Sequence, residues 1–332
     1  MDFRCNKILD RIYNLTAEAD KFIDEWFDGT PYITAHTSGS TGRPKAVKLL
    51  KSDMLASAAS TNRYFNITEK STLLCPLSAD YIAGKMMIVR AIASGARLYM
   101  EIPGNAPVHY DYGNIDLIAV VPSQVPHLLD DKSILARLNY VLIGGASVPN
   151  DLAERIIDSD VNAFVSYGMT ETCSHVALQK LDKCNNGVYE AMPDIFFSKN
   201  ETDCLIVNST KRSFEKLQTN DIVNLIDERH FIWIGRFDNV INSGGIKVFP
   251  EEIEQQLSSV IPDNMEYYIA RGSDEKWGEA PVLVISDAVS DTAQLLEVVR
   301  NSVKSKAERP VRIIVENIEH TASGKIIRRH FV

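Results

Sequence analysis

Through the first two-thirds of the chain, short apolar runs alternate with segments of helical period. Residues 97–101, 117–121, 140–143 and 163–166 are apolar runs of the length that buried strands take. Before and among them, residues 85–92 and 149–158 read as helices. Alternation of this kind predicts an α/β layered fold with parallel pairing, because parallel neighbours need long, usually helical, crossovers. From Cys204 to Ile234 the spacing shortens to strand–turn–strand, in CLIVN, DIVNLI and HFIWIG, and predicts a small antiparallel or barrel-like sheet.

A boundary is expected near residues 236–238. Beyond it, PEEIEQQLSSV reads as a helix, with Pro250 in its first turn and acidic residues following as the helix dipole prefers. Strands EYYIAR and APVLVIS, a helix over 291–304 and strand RIIVENI complete a compact α+β unit of about a hundred residues. The expected organisation is thus α/β: a large amino-terminal domain of layered sheets and helices over residues 1–237, and a small α+β domain over residues 238–332. No internal repeat or low-complexity segment interrupts it.

Composition narrows the function. The 332 residues are 45% hydrophobic and 24% charged, with a formal charge of −9, which argues against a nucleic-acid partner. Anionic ligands remain open, since a local set of cations and backbone N–H groups binds phosphate on an acidic protein. The amino terminus is charged throughout, and the most apolar stretch, residues 82–100, is broken by Lys85, Arg90 and Arg97. Neither an export signal nor membrane insertion is expected. Cys5, Cys75, Cys173, Cys184 and Cys204 are odd in number and scattered, so free thiols in a reducing cytoplasm are the simple reading.

The strongest chemical signal is Thr37-Ser38-Gly39-Ser40-Thr41-Gly42-Arg43-Pro44-Lys45, between two apolar stretches. Glycines let a backbone approach an oligophosphate closely, and hydroxyls, N–H groups and Lys45 supply donors and charge. The spacing is not that of a Walker A loop, and a polar surface turn is the bland alternative. This segment resembles the phosphate-binding signature of the adenylate-forming superfamily of acyl-CoA synthetases, luciferases and peptide-synthetase adenylation domains. Three further segments match that family in order. They are Tyr167-Gly168-Met169-Thr170-Glu171; Gly235-Arg236-Phe237-Asp238, continuing through Ser243-Gly244-Gly245 to Pro250-Glu251-Glu252-Ile253-Glu254; and Thr321-Ala322-Ser323-Gly324-Lys325-Ile326.

The resemblance implies that a carboxylic acid and ATP form an acyl-adenylate, whose acyl group passes to a thiol, coenzyme A in the leading reading. Thr37, Ser38, Gly39, Ser40, Thr41, Gly42 and Lys45 would hold the phosphates. Thr170 would contact the α-phosphate and Glu171 would ligate Mg²⁺. Gly144, Gly145, Ala146, Tyr167 and Gly168 would lie along the nucleotide, with Tyr167 packed on adenine. Asp221 would accept hydrogen bonds from the ribose, with Arg236 beside it. Lys325 would be the catalytic lysine, and its bland alternative is a solvated lysine near Arg328 and Arg329. Asp238 would be the hinge of a mobile carboxyl-terminal domain that carries Lys325 away and brings the loop Ser243-Gly244-Gly245 to the thiol.

Several details resemble the 2-succinylbenzoate–CoA ligase branch of menaquinone biosynthesis. They are Val121-Pro122-Ser123-Gln124, SYGMTETCS over residues 166–174, and Gly84 followed by Arg90 and Ser94-Gly95-Ala96-Arg97. That acid carries a second carboxylate, and Arg90 is the candidate to receive it, with Ser174 and Tyr81 as further acyl-pocket residues. An arginine snorkelling at a helix surface is the bland alternative for Arg90, and a packed, hydrogen-bonded histidine is the expected role of His175. Relative to the family, the region ahead of the phosphate loop is short, Ala46 replaces a usual glycine, and residues 76–81 lack an aromatic–histidine pair. Two other readings stay open. One is an adenylating enzyme that loads a carrier protein, with Asp80 facing an α-amino group; the other is a nucleotide-binding protein without turnover.

Overall fold

The computed structural model describes residues 9–36, 46–262, 265–289, 291–321 and 326–332. Its first strands are Ile12–Tyr13 (β1), the hairpin Tyr32–His36 (β2) with Ala46–Leu50 (β3), Thr72–Cys75 (β4), Arg97–Met100 (β5), Ile115–Val120 (β6), Leu138–Ile143 (β7) and Ala163–Gly168 (β8). Strands β1, β5, β4, β6, β7 and β8 lie side by side in that order, all parallel. Successive residues point to opposite faces of this sheet. Leu73, Leu117, Leu142 and Phe164 enter one apolar cluster, and Leu74, Ile118, Val141 and Val165 enter the other. Helices Lys51–Tyr64 and Ile82–Ser94 cover the first face; Val125–Asp130 and Asn150–Asp158 cover the second. With both faces covered, the strands read as continuous apolar runs.

Helix Ile82–Ser94 is buried over Gly84, Lys85, Met86, Met87, Ile88, Val89, Arg90 and Ala91, as expected of a helix that is apolar on most sides. It stops at Gly95, whose φ of 72° is left-handed and whose N–H closes back on Ala91 O at 2.8 Å. Among the described residues no helix is long and apolar enough to cross a membrane.

The chain then continues through His175–Lys180 (β9), Val188–Ala191 (β10), Ile195–Lys199 (β11), Cys204–Ser209 (β12), Leu217–Leu225 (β13) and His230–Arg236 (β14). These strands are antiparallel, as their spacing predicts, but they do not form a separate sheet. β9 folds back on β8, and β10 pairs with both β9 and β14, so one twelve-stranded sheet runs from β1 to β11. The open edge of the parallel strands is thereby paired instead of exposed.

A second sheet gathers Ile241–Ser243 (β15), Ile246–Val248 (β16), Tyr267–Asp274 (β17), Gly278–Ile285 (β18), Ile313–Val315 (β19) and His330–Phe331 (β20). Helix Pro250–Leu257 begins on its proline, and Thr292–Ser302 begins after Asp291, whose carboxylate accepts the Gln294 N–H at 2.9 Å. Ile253, Leu257 and Val299 from these helices pack on Ile269, Leu283 and Ile285.

Candidate active site

The parallel strands deliver their carboxyl ends to one edge, the place where open α/β sheets bind ligands. β7 ends at Ile143 and leads into Gly144, Gly145 and Ala146; β8 ends at Gly168 and leads into the tight turn Thr170–Thr172. Close approach explains two glycines. A Cβ on Gly144 would come within 2.7 Å of Ser166 Oγ, and one on Gly168 within 2.5 Å of Ser174 O and 2.6 Å of His175 Cα. Gly145 has a φ of 90° and, like Ala146, is exposed. Glu171 stands exposed at the tip of the turn, with Thr170 half-buried beside it.

Tyr167, Asp221 and Arg236 come together. The Tyr167 hydroxyl donates to Asp221 Oδ2 at 2.7 Å, Trp233 Nε1 donates to Oδ1 at 3.3 Å, and Arg236 Nη1 lies 3.5 Å from Oδ1. Asp221 and Arg236 are register partners across β13 and β14, which explains the last contact. The Tyr167 ring packs edge-on against Tyr189 and Phe231. Burial, then the neighbouring Asp221 charge, pushes its phenol well above the usual range, so it stays a donor. Asp238 is exposed; its carboxylate receives Asn220 Nδ2 at 3.2 Å and Arg236 Nη2 at 3.3 Å.

Arg90 is 2% exposed, so the surface reading of this arginine does not hold. Helix Ile82–Ser94 carries its guanidinium inward, where Nη2 donates to Ser174 Oγ at 2.7 Å and Nη1 reaches only the weak acceptor Met87 Sδ at 3.3 Å. Among the described residues its Nε has no hydrogen-bond partner. Among the described residues no carboxylate pairs with it. Burial, reinforced by Arg212 and opposed by Cys75, lowers it to about 10, so it remains a cation at neutral pH. His175 touches Arg90, Ser174 and Thr61 and is buried, the packed role expected of it. Tyr81 and Asp80 are both exposed ahead of the same helix, and the hydrogen bond of Arg90 goes to Ser174 and not to Tyr81.

Ser243 is buried, and Gly244 and Gly245 turn the hairpin between β15 and β16 with φ of 58° and 86°, the signs a two-residue type I′ turn requires. Gly244 also lies against Trp277: its N–H donates to Trp277 O at 2.9 Å, and a Cβ there would meet the indole at 2.5 Å.

Thr37, Ser38, Gly39, Ser40, Thr41, Gly42 and Lys45 lie outside the described residues, as does Lys325. The segment holding the first seven joins His36 to Ala46, which are register partners. His320 and Ile326, on either side of Lys325, form an antiparallel bridge.

Several supporting residues carry no motif. Trp233 and Thr219 hold Asp221, the latter by accepting its N–H at 3.1 Å. Arg212 ties Thr172 O, at 2.9 Å, to the buried Asp194, at 3.1 Å, and Ser60 donates to the same Asp194 at 2.7 Å. Only strand alternation in HFIWIG pointed to Trp233, and nothing local distinguishes Arg212 from a surface arginine.

Comparison with known proteins agrees with this geometry. The family model described as AMP-binding enzyme matches residues 16–210. The chain is 26% identical to the 2-succinylbenzoate–CoA ligase of Listeria monocytogenes over 356 aligned positions, 95% of this chain and 73% of that protein. It is 35% identical to an acyl-CoA synthetase (AMP-forming)/AMP-acid ligase II-like protein from Dyadobacter fermentans, whose crystal structure matches with a TM-score of 0.63 over 95% of this chain and 93% of that one. The O-succinylbenzoate coenzyme A synthetase of Bacillus subtilis, solved with ATP and magnesium ion, has the same fold at 21% identity, with a TM-score of 0.78 over 89% of this chain and 68% of that one. The α/β expectation is met, and since the family model spans more than half its length, the chain belongs to the AMP-binding enzyme family.

Proposed function

We propose that this protein is an ATP-dependent acyl-CoA ligase of the cytoplasm that activates 2-succinylbenzoate. The observation that carries the substrate is Arg90: a buried guanidinium without a carboxylate partner among the described residues, bonded to Ser174. An unpaired buried charge is costly, and a carboxylate supplied by the ligand offsets that cost. An acid with a second carboxylate is the chemistry such a site selects. The relatives named as 2-succinylbenzoate–CoA ligases support the same choice.

In the first step a carboxylate oxygen attacks the α-phosphorus of ATP, and the bond from that phosphorus to the bridging oxygen breaks, releasing pyrophosphate. In the second, the coenzyme A thiol attacks the acyl carbonyl, the acyl–oxygen bond breaks, AMP leaves and the thiol proton passes to solvent. Both steps need positioning and charge neutralisation more than covalent help.

Asp221 and Arg236 hold the ribose, Tyr167, Gly168 and Gly144-Gly145-Ala146 flank the base, and Thr170 contacts the α-phosphate. Among the described residues no group of three metal-ligating side chains converges; one exposed carboxylate, Glu171, suits Mg²⁺, which takes most of its ligands from phosphate and water and would neutralise phosphate charge there. By their motifs, Thr37, Ser38, Gly39, Ser40, Thr41, Gly42 and Lys45 take the β- and γ-phosphates and Lys325 bridges carboxylate and α-phosphate. After adenylation the domain over residues 238–332 turns about Asp238 and brings Ser243-Gly244-Gly245 to the thiol.

The test is acid-dependent AMP release from ATP and Mg²⁺ with coenzyme A, across 2-succinylbenzoate, other aryl and fatty acids, and amino acids, with products identified by mass and Lys325→Ala as control. A thioester formed from 2-succinylbenzoate and lost in the control is expected. Release with another acid alone overturns the substrate, an aminoacyl-adenylate moves the reading to carrier loading, and no release with any acid overturns the ligase.

A further inference from the structure

Beneath Arg90 lies a chain of hydrogen bonds whose direction can be worked out from its two ends. Arg90 Nη2 only donates, and it faces both Ser174 Oγ, at 2.7 Å, and His175 Nδ1, at 3.5 Å. A proton on Nδ1 would set donor against donor, so Nδ1 is the bare nitrogen. Ser174 Oγ, having accepted from Arg90, turns its own hydrogen towards Nδ1 at 3.3 Å. The neutral ring then carries its proton on Nε2, 3.1 Å from Thr61 Oγ1. Thr61 can accept it, because its hydroxyl hydrogen goes to Ser57 O at 3.1 Å, one turn back in helix Lys51–Tyr64. Each donor in the series then has an acceptor, whereas the other tautomer would set Nδ1–H against Arg90 Nη2 and turn the Thr61 hydroxyl away from Ser57 O.

We infer that His175 is a positioning residue: Thr61 fixes it as the Nε2–H tautomer, and its bare Nδ1 orients Ser174 and the Arg90 guanidinium. The consequence for substrate selection rests on the proposal that Arg90 receives the acid's second carboxylate. The site is built for a neutral ring. Thr61 is fully buried, His175 is 5% exposed, and among the described residues the charges that act on the ring are those of Arg90 and Arg212, both cations. Burial and those two charges hold the imidazole well below its usual range. A neutral ring that carried its proton on Nδ1 instead would present that N–H to Arg90 and push the guanidinium off its bearing.

The experiment combines nitrogen-15 NMR of imidazole-labelled wild-type protein with kinetics of His175→Leu, His175→Asn and Thr61→Val. The wild-type ring should show the Nε2–H tautomer and no titration between pH 5 and pH 8; an Nδ1–H ring, or one that titrates in that range, overturns the inference whether or not any acid is turned over. His175→Leu should raise KM for 2-succinylbenzoate about tenfold or more, with kcat and the KM for ATP changed far less, the loss expected when a hydrogen bond to a charged group goes. His175→Asn, whose side-chain oxygen can take the place of Nδ1, should restore most of that KM, and Thr61→Val should fall between. Equal damage in the Leu and Asn variants, or an unchanged KM in the Leu variant, overturns it. Should His175→Leu not fold, the NMR result and Thr61→Val decide. Wild-type protein that ignores 2-succinylbenzoate while showing the Nε2–H ring would overturn the substrate and leave the tautomer relay standing.

Discussion

Tyr167, at the end of a parallel strand, donates its hydroxyl to Asp221 on an antiparallel one, at 2.7 Å. That bond joins the two halves of the large sheet at the carboxylate proposed to hold the ribose. The two residues should therefore respond differently to substitution. Asp221→Asn removes the charged acceptor and should weaken ATP binding about tenfold to a hundredfold, the range for hydrogen bonds to charged groups. Tyr167→Phe removes one partner of a carboxylate that keeps Trp233 and Arg236, and should cost about 1 kcal/mol of stability with a smaller change in affinity. Titration calorimetry with ATP and urea denaturation of the two variants separate these effects.

Arg212 and Asp194 form a buried pair at 3.1 Å with side chains 0% and 2% exposed. Breaking such a pair leaves an uncompensated charge, so Arg212→Met should destabilise the fold by about 3–5 kcal/mol, with part recovered in the double variant Arg212→Met, Asp194→Leu. Burial pushes the Asp194 carboxyl up, but Arg212 and the hydroxyls of Ser60 and Ser209 more than offset it and leave it below its ordinary value of 3.8. A lowered folded value means that the unfolded chain binds the proton first as pH falls. The contribution of Asp194 should be whole above pH 3.8 and fade below it, a slope that denaturation at stepped pH reveals and that Asp194→Asn removes.

Much of this arrangement was legible in the sequence, for identifiable reasons. Pro250 and Asp291 are local start signals, and the helices beginning at them follow from short-range chemistry. The buried strands Ile115–Val120, Leu138–Ile143 and Ala163–Gly168 announce themselves as apolar runs. Strand Thr72–Cys75 is equally buried, but its four residues run directly into Pro76 and give no period to read. The joining of β9, β10 and β14 into one sheet depends on pairings distant in sequence, which no window of residues contains. Arg90 was found through a motif and not through its surroundings; that it lies buried between Ser174 and Met87 follows from the packing of a whole helix. The phosphate loop and Lys325 rest on their motifs alone.

Gly84 lets the helix carrying Arg90 sit against the chain ahead of it. A Cβ at this position would fall on the Ser78 backbone, 2.6 Å from its carbonyl carbon and closer still to its oxygen. Backbone cannot rotate away as a flexible side chain can. Gly84→Ala should then cost about 1–3 kcal/mol as the helix shifts, and because Arg90 moves with it, KM for the acid should rise while affinity for ATP stays near wild type. Chemical denaturation and steady-state kinetics on one preparation check both halves. A stable variant with an unchanged KM would show that the residues around Ser78 yield instead.

Glu251 packs its carboxylate over Gly235, where β14 meets the first turn of helix Pro250–Leu257. Asn239 Nδ2 donates to its Oε1 at 2.6 Å, while Oε2 is buried without a hydrogen-bond partner among the described residues. Burial raises the carboxyl above its ordinary 4.5; Arg328 and Asn239 oppose that rise, and Glu254 adds to it. An acid raised on folding favours the protonated native state, so its contribution is fullest below pH 4.5 and is lost as pH climbs through the raised value. Glu251→Gln keeps an acceptor for Asn239 and removes the charge. The variant should gain on wild type as pH rises from 4 to 8, with the two converging at the acid end, and melting curves across that range give the sign directly. Divergence towards the acid end instead would mean that Arg328, not burial, governs this carboxylate, and that the contact between the strand and the helix gains from its charge.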